Sequence, residues 1–249
     1  MENRTFPSCR SCSIPRYRHG ALVCPGRDWP PLKDRGPSAL NSFLLRYRFR
    51  LLLNSILLLL VVLAFPSPNP LLELCSLLLM VLAGLNTVRS HSVLFSFISV
   101  MGVLSLFMLF APAAWHVHPT LQRGIPQLIF IQLLVVALFR RVTQERPVTR
   151  ELLYGLCALY LNFALSFALA YNLIEDLRPG SFQTNNGALH LDAFIYFSMI
   201  TLTTIGYGDI VPVNPLARLL AGSEAIMGAL FIALAVARGL SLMSDDSKD

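Results

Sequence analysis

The stretch Tyr196-Phe197-Ser198-Met199-Ile200-Thr201-Leu202-Thr203-Thr204-Ile205-Gly206-Tyr207-Gly208-Asp209 decides how this chain is built. Its first part belongs to a moderately apolar run over 193–203. At 1.5 Å per residue such a run reaches only about 16 Å, roughly half of a hydrocarbon core about 30 Å thick. The blocks on either side, 152–174 and 215–237, are long enough to cross. The run between them is therefore read as a re-entrant helix that enters the membrane and turns back. In the second part, Gly206 and Gly208 alternate with Ile205 and Tyr207. Glycine adopts left-handed conformations at little steric cost. Alternating them with ordinary residues turns successive carbonyls toward one axis.

This pattern resembles the pore helix and signature filter of potassium channels, a family that replaces an ion's hydration oxygens with rings of backbone carbonyls. The resemblance implies that Thr204, Ile205, Gly206, Tyr207 and Gly208 bind K+, the Thr204 hydroxyl adding a ring on the cavity side. Ile205 replaces the commoner valine, one β-branched residue for another. Asp209 matches the aspartate that ends the family's filter and hydrogen-bonds behind it. Asp192 is the expected N-cap of the pore helix, whose C-terminal end would favour a cation in the inner cavity. One strand cannot encircle an ion, so four copies are implied. Gly228 falls where many members carry a hinge glycine, and close helix packing is the alternative reading. One departure is Ile200, at a position where some relatives have a glutamate behind the filter; inactivation that depends on that glutamate is not implied. The close match covers about 192–238, and the whole chain is similar to small prokaryotic six-span potassium channels. The expected fold is an all-α membrane protein with six transmembrane helices, a re-entrant pore helix and a filter loop, assembled as a four-fold homotetramer.

Working outward, 55% of the 249 residues are hydrophobic and 14% charged, with mean hydropathy +0.60. Soluble domains carry about 25% charged residues, and the deficit here comes from long apolar blocks. Besides the two named, these run over 51–65, 71–88, 93–114 and 125–139. The expected organisation is a flexible basic tail over 1–45, four peripheral helices over 46–141, a pore domain over 150–238 and a short tail over 239–249. Net charge +6 is concentrated before the first block, where Arg46, Arg48 and Arg50 close a run of basic residues. Arg140, Arg141, Arg146 and Arg150 mark a second interior region. Six crossings then leave both termini cytoplasmic in a cell membrane, and topology rather than nucleic acid accounts for the charge. The segment 175–214 faces outward with Glu175, Asp176, Asp192 and Asp209 against Arg178.

The remaining candidates concern regulation. Steep voltage sensing needs about 3–4 charges per subunit, and the fourth block, from Pro126 to Phe139, has none. No strong voltage dependence is expected. Glu224 lies inside the last block, where an ionisable group is costly unless it meets water or a partner. It either faces the filter or cavity, as a cation attractor or proton sensor, or hydrogen-bonds behind the pore helix near Ser198 or Ser223. Cys9, Cys12, His19 and Cys24 are of zinc-ligand type, but their loose spacing suits free thiols better. No cofactor is implied; K+ and membrane lipids are the expected partners. Internal repeats of a transporter and the paired groups of an intramembrane enzyme are not found. An obligate, non-conducting partner subunit is the alternative that keeps the filter sequence.

Overall fold

The structure, a computed structural model, describes residues 16–18, 21–23, 47–65, 69–88, 92–110, 119–144, 149–184 and 187–246. It divides into two units, 1–41 and 42–249. In the first, β1 (Arg16–Arg18) pairs antiparallel with β2 (Ala21–Val23), Tyr17 opposite Leu22. No regular element was expected in this tail. Cys9, Cys12, His19 and Cys24 lie outside the described residues.

The second unit is mostly helical, and a helix covers most of each apolar block; the block 51–65 outlasts its helix by two residues, and 111–114 of the block 93–114 lie outside the described residues. In order these are α1 (Arg48–Leu63), α2 (Pro70–Val88), α3 (Ser92–Phe110), α4 (Pro119–Gln144) and α5 (Arg150–Leu177). Then follow β3 (Phe182–Thr184), the short α6 (Leu191–Leu202), β4 (Ile210–Pro212) and α7 (Pro215–Asp246). The segments Pro70–Val88, Gln122–Gln144, Glu151–Leu177 and Pro215–Arg238 are long and apolar enough to cross a membrane. The apolar part of α3, Val93–Leu109, is shorter. With 16 residues, α1 reaches about 24 Å. Helix α4 outruns its apolar block at both ends. It starts on Pro119, whose fixed φ suits a first helical position, and continues through Arg140 and Arg141. Large apolar side chains such as Leu58, Leu72, Leu79, Phe97, Val103 and Phe107 are exposed on the peripheral helices, a surface suited to lipid rather than water.

Helix α5 organises the core: it packs on α1, α4, α6 and α7. Leu152, Leu159, Leu165 and Ala168 are fully buried along it. Its start is fixed by Thr149, whose side chain accepts from the Leu152 N–H at 3.4 Å, a conventional N-cap. Arg50 of α1 reaches Glu151 at 2.5 Å and lies over the Tyr154 ring at 4.7 Å. Phe49 packs against Gly155, where an added Cβ would stand 3.0 Å from the ring. On the opposite flank, the Gln132 amide of α4 donates to Ser166. These contacts hold α5 as the wall on which the short helix α6 rests.

Candidate functional site

Helix α6 presents the decisive stretch. Its cap residue is His190, extended at φ −119 and ψ 178, without a side-chain cap bond. Asp192, the expected N-cap, lies in the first turn. The correction has a packing cause: Leu189, Leu191 and Ala193 lie against the core and pull the helix start back to Leu191. A carboxylate in the first turn still complements the helix dipole. Farther along, Phe194, Phe197 and Ser198 are buried. Phe194 and Phe197 stack edge-on with Phe182 of β3 at 5.0 and 5.6 Å between centroids, and Phe197 with Tyr171 of α5 at 5.1 Å.

Beyond Leu202 the chain turns into the strand. The N–H groups of Ile205 and Gly206 both donate to the Ile200 carbonyl, at 2.9 and 3.1 Å, so the strand hangs from the end of α6. Thr204, Gly206 and Gly208 have φ of 60, 54 and 78 degrees. Every second residue is therefore left-handed, the alternation that the glycines announced. Thr204 was not foreseen in it. A β-branched residue at positive φ is strained, and nothing in its type signals that conformation; its N–H bond to the Thr201 carbonyl at 3.0 Å helps to hold it. In the single chain Ile205 is 54% and Tyr207 71% exposed.

The strand then passes to Asp209, whose carboxylate hydrogen-bonds the Tyr196 hydroxyl of α6. Its Oδ1 is buried with no partner among the described residues. Strand β4 returns beside β3, Ile210 opposite Thr184 and Pro212 opposite Phe182. Asn214 opens α7, its side chain accepting from Leu216 N–H at 2.9 Å. The segments that flank α6 and the following strand are thus tied together by the β3–β4 pair.

Behind α6 three contacts fix its position. Tyr160 of α5 donates to the Leu202 carbonyl at 3.2 Å. Gly228 of α7 approaches the same carbonyl so closely that an added Cβ would lie 2.0 Å from the oxygen. The close-packing reading of Gly228 thus has a concrete partner. Glu224 is fully buried and lies at the back of α6, against Ser198 and Tyr171. Tyr171 donates to its Oε2 at 2.6 Å, and Ser198 Oγ lies 2.5 Å from its Oε1. Ser223, the other partner considered, donates instead to the Leu220 carbonyl. Only 17% of the apolar window of α7, within Pro215–Arg238, is buried, with Leu219, Ile226, Leu230 and Val236 exposed. Among the described residues no cluster of three His, Cys, Asp or Glu side chains is placed to hold a metal ion.

Comparison with known proteins bears on this region. A family described as "Ion channel" matches residues 157–245. The chain is 43% identical over 98 residues to the inward rectifier potassium channel Kirbac3.1 of Paramagnetospirillum magnetotacticum, a match covering 38% of this chain and 29% of that one. To the two pore potassium channel a of Oryza sativa subsp. japonica it is 48% identical over 76 residues, 30% of this chain and 20% of the other. To the protein LctB of Bacillus caldotenax it is 30% identical over 105 residues, 39% of this chain and 77% of LctB. The chain thus spans less than a third of the first two relatives and most of the third.

Proposed function

This chain belongs to the pore-loop potassium channel family, and from that premise we propose that four identical copies enclose one potassium-selective pore. The observation that carries the reading is the alternating backbone at Thr204, Gly206 and Gly208. It aims the carbonyls of consecutive residues at a common line, where four strands replace the water around an ion. The exposed apolar face of α7 supports the tetramer, since neighbouring subunits would cover it. Six helices cross, both termini lie in the cytoplasm of a cell-membrane channel, and conduction is passive. The family is an ion channel class without catalysis.

The test is potassium-driven flux into liposomes that hold only this purified protein. Potassium should pass at least about tenfold faster than sodium through a carbonyl filter. Equal rates would discredit the filter assignment. An assembled tetramer without flux would instead favour the partner-subunit reading.

Voltage should move this pore little. In α4 the charges sit toward the ends, at Arg123, Arg140 and Arg141, so few cross the field. Recordings from planar bilayers should give a gating charge under about one per subunit, against the 3–4 that steep gating requires. A fitted charge in that higher range would refute the assignment of the peripheral helices as voltage-insensitive.

A further inference from the structure

The cluster around Glu224 has more close oxygen contacts than its hydroxyl groups have protons. Ser198 Oγ lies 2.7 Å from the Ala164 carbonyl and 2.5 Å from Glu224 Oε1, while Tyr171 donates to Oε2 at 2.6 Å. Three contacts therefore need three protons. Ser198 and Tyr171 bring one each, and a carbonyl brings none. The serine proton belongs on the Ala164 carbonyl, which can only accept. Two oxygens at 2.5 Å with no proton between them would repel, so the third proton has to come from the carboxyl group.

The charges nearby point the same way. In α7 no other charged residue lies between Arg218 and Arg238. In α5 the charges stand at the ends, at Arg150, Glu151, Glu175 and Asp176, and in α6 Asp192 stands in the first turn. The groups that face Glu224 are Tyr171, Ser198 and, farther off, Tyr160. A fully buried carboxylate without a cation is strongly disfavoured.

We propose that Glu224 is a neutral carboxylic acid that donates to Ser198 and, by bridging α5, α6 and α7, positions the filter for potassium selectivity. Transmission is short. Ser198 stands two residues before Ile200, whose carbonyl holds the N–H groups of Ile205 and Gly206. Glu224 touches no ion; it is a positioning residue, and its role rests on the potassium-channel reading above. Glutamine reproduces its pattern, with an amide N–H to donate to Ser198 and a carbonyl to accept from Tyr171. Alanine supplies neither: the Tyr171 hydroxyl loses its acceptor, and Ser198, still donating to the Ala164 carbonyl, loses the group that donates to it.

Wild type, Glu224→Gln and Glu224→Ala should be compared as assembled tetramers in liposomes. The glutamine variant should keep the potassium-to-sodium flux ratio within about twofold, and the alanine variant should lose at least about tenfold. A glutamine variant as impaired as alanine would mean that the negative charge is required. An alanine variant with wild-type selectivity would mean that the cluster only packs. Either result overturns the proposal. Should the alanine variant fail to assemble, infrared spectroscopy decides: the wild type should carry a protonated-carboxyl band that is missing from Glu224→Gln. Identical spectra in that region would overturn it. A wild type that does not select potassium would instead count against the channel reading, while the infrared comparison would still report the protonation of Glu224.

Discussion

Gly228→Ala is expected to lower the thermal stability of the tetramer markedly and to reduce potassium flux to the level of empty liposomes. The added methyl group would stand 2.0 Å from the Leu202 carbonyl oxygen and 2.9 Å from its carbon, inside the 3.0 Å that Cβ atoms respect. Both atoms are backbone, so no side-chain rotation relieves the clash. Either α7 withdraws or the end of α6 moves, by about 1 Å, in a core packed as tightly as an organic crystal. Overpacking of this kind costs about 1–3 kcal/mol per site, and the proposed tetramer has four such sites. The displacement falls on Leu202, two residues before Thr204, where the left-handed alternation starts. The Tyr160 bond to the same carbonyl would be lost with it. A hinge role predicts something else: a tetramer of normal stability with altered opening. Thermal unfolding beside flux separates the two, and an alanine variant as stable as wild type would rule out the packing account.

How much of this was legible in the sequence depended on how local each signal is. Hydropathy located the apolar core of each long helix, because lipid contact imposes it residue by residue. It missed the ends, since a helix satisfies its own backbone and runs on into polar residues such as Arg140–Gln144. The backbone alternation was readable at Gly206 and Gly208, where the residue type itself permits positive φ. It was not readable at Thr204, where surrounding hydrogen bonds impose it on an unsuited side chain. Contacts between distant positions were the least accessible. Glu224 stood out as an ionisable group in an apolar block, and Ser198, on the neighbouring segment, was one of the two partners within sight, beside Ser223. Tyr171, 53 residues away in the chain, had no sequence signal at all. The pairing of Gly228 with Leu202 was hidden for the same reason: the glycine could be seen, but not the carbonyl it makes room for. The salt bridge from Arg50 to Glu151 likewise joins residues far apart in the chain, of which Arg50 carried a sequence reading, as a topology signal.

Gly206→Asp should separate assembly from conduction in a way that Gly228→Ala cannot. In the single chain an added Cβ at position 206 meets nothing within 4 Å, so no contact within the subunit opposes the side chain. The backbone at φ 54 degrees is a left-handed conformation that aspartate tolerates better than most residues, and the strain is about 1–2 kcal/mol. The subunit should therefore fold, with its helices and the α5–α6–α7 contacts intact. The conflict arises only where the proposed pore brings four strands together. There four carboxylates would crowd one ring, and each would compete with the carbonyls for the ion or repel its neighbours. Potassium flux should fall to the empty-liposome level, while the circular dichroism spectrum stays that of wild type and the thermal midpoint shifts only modestly. This dissociation bears directly on the four-fold filter. A surface turn at residues 204–208 would accept the aspartate with little effect on flux. Substantial potassium flux through the aspartate variant would therefore place the conducting path somewhere other than this strand.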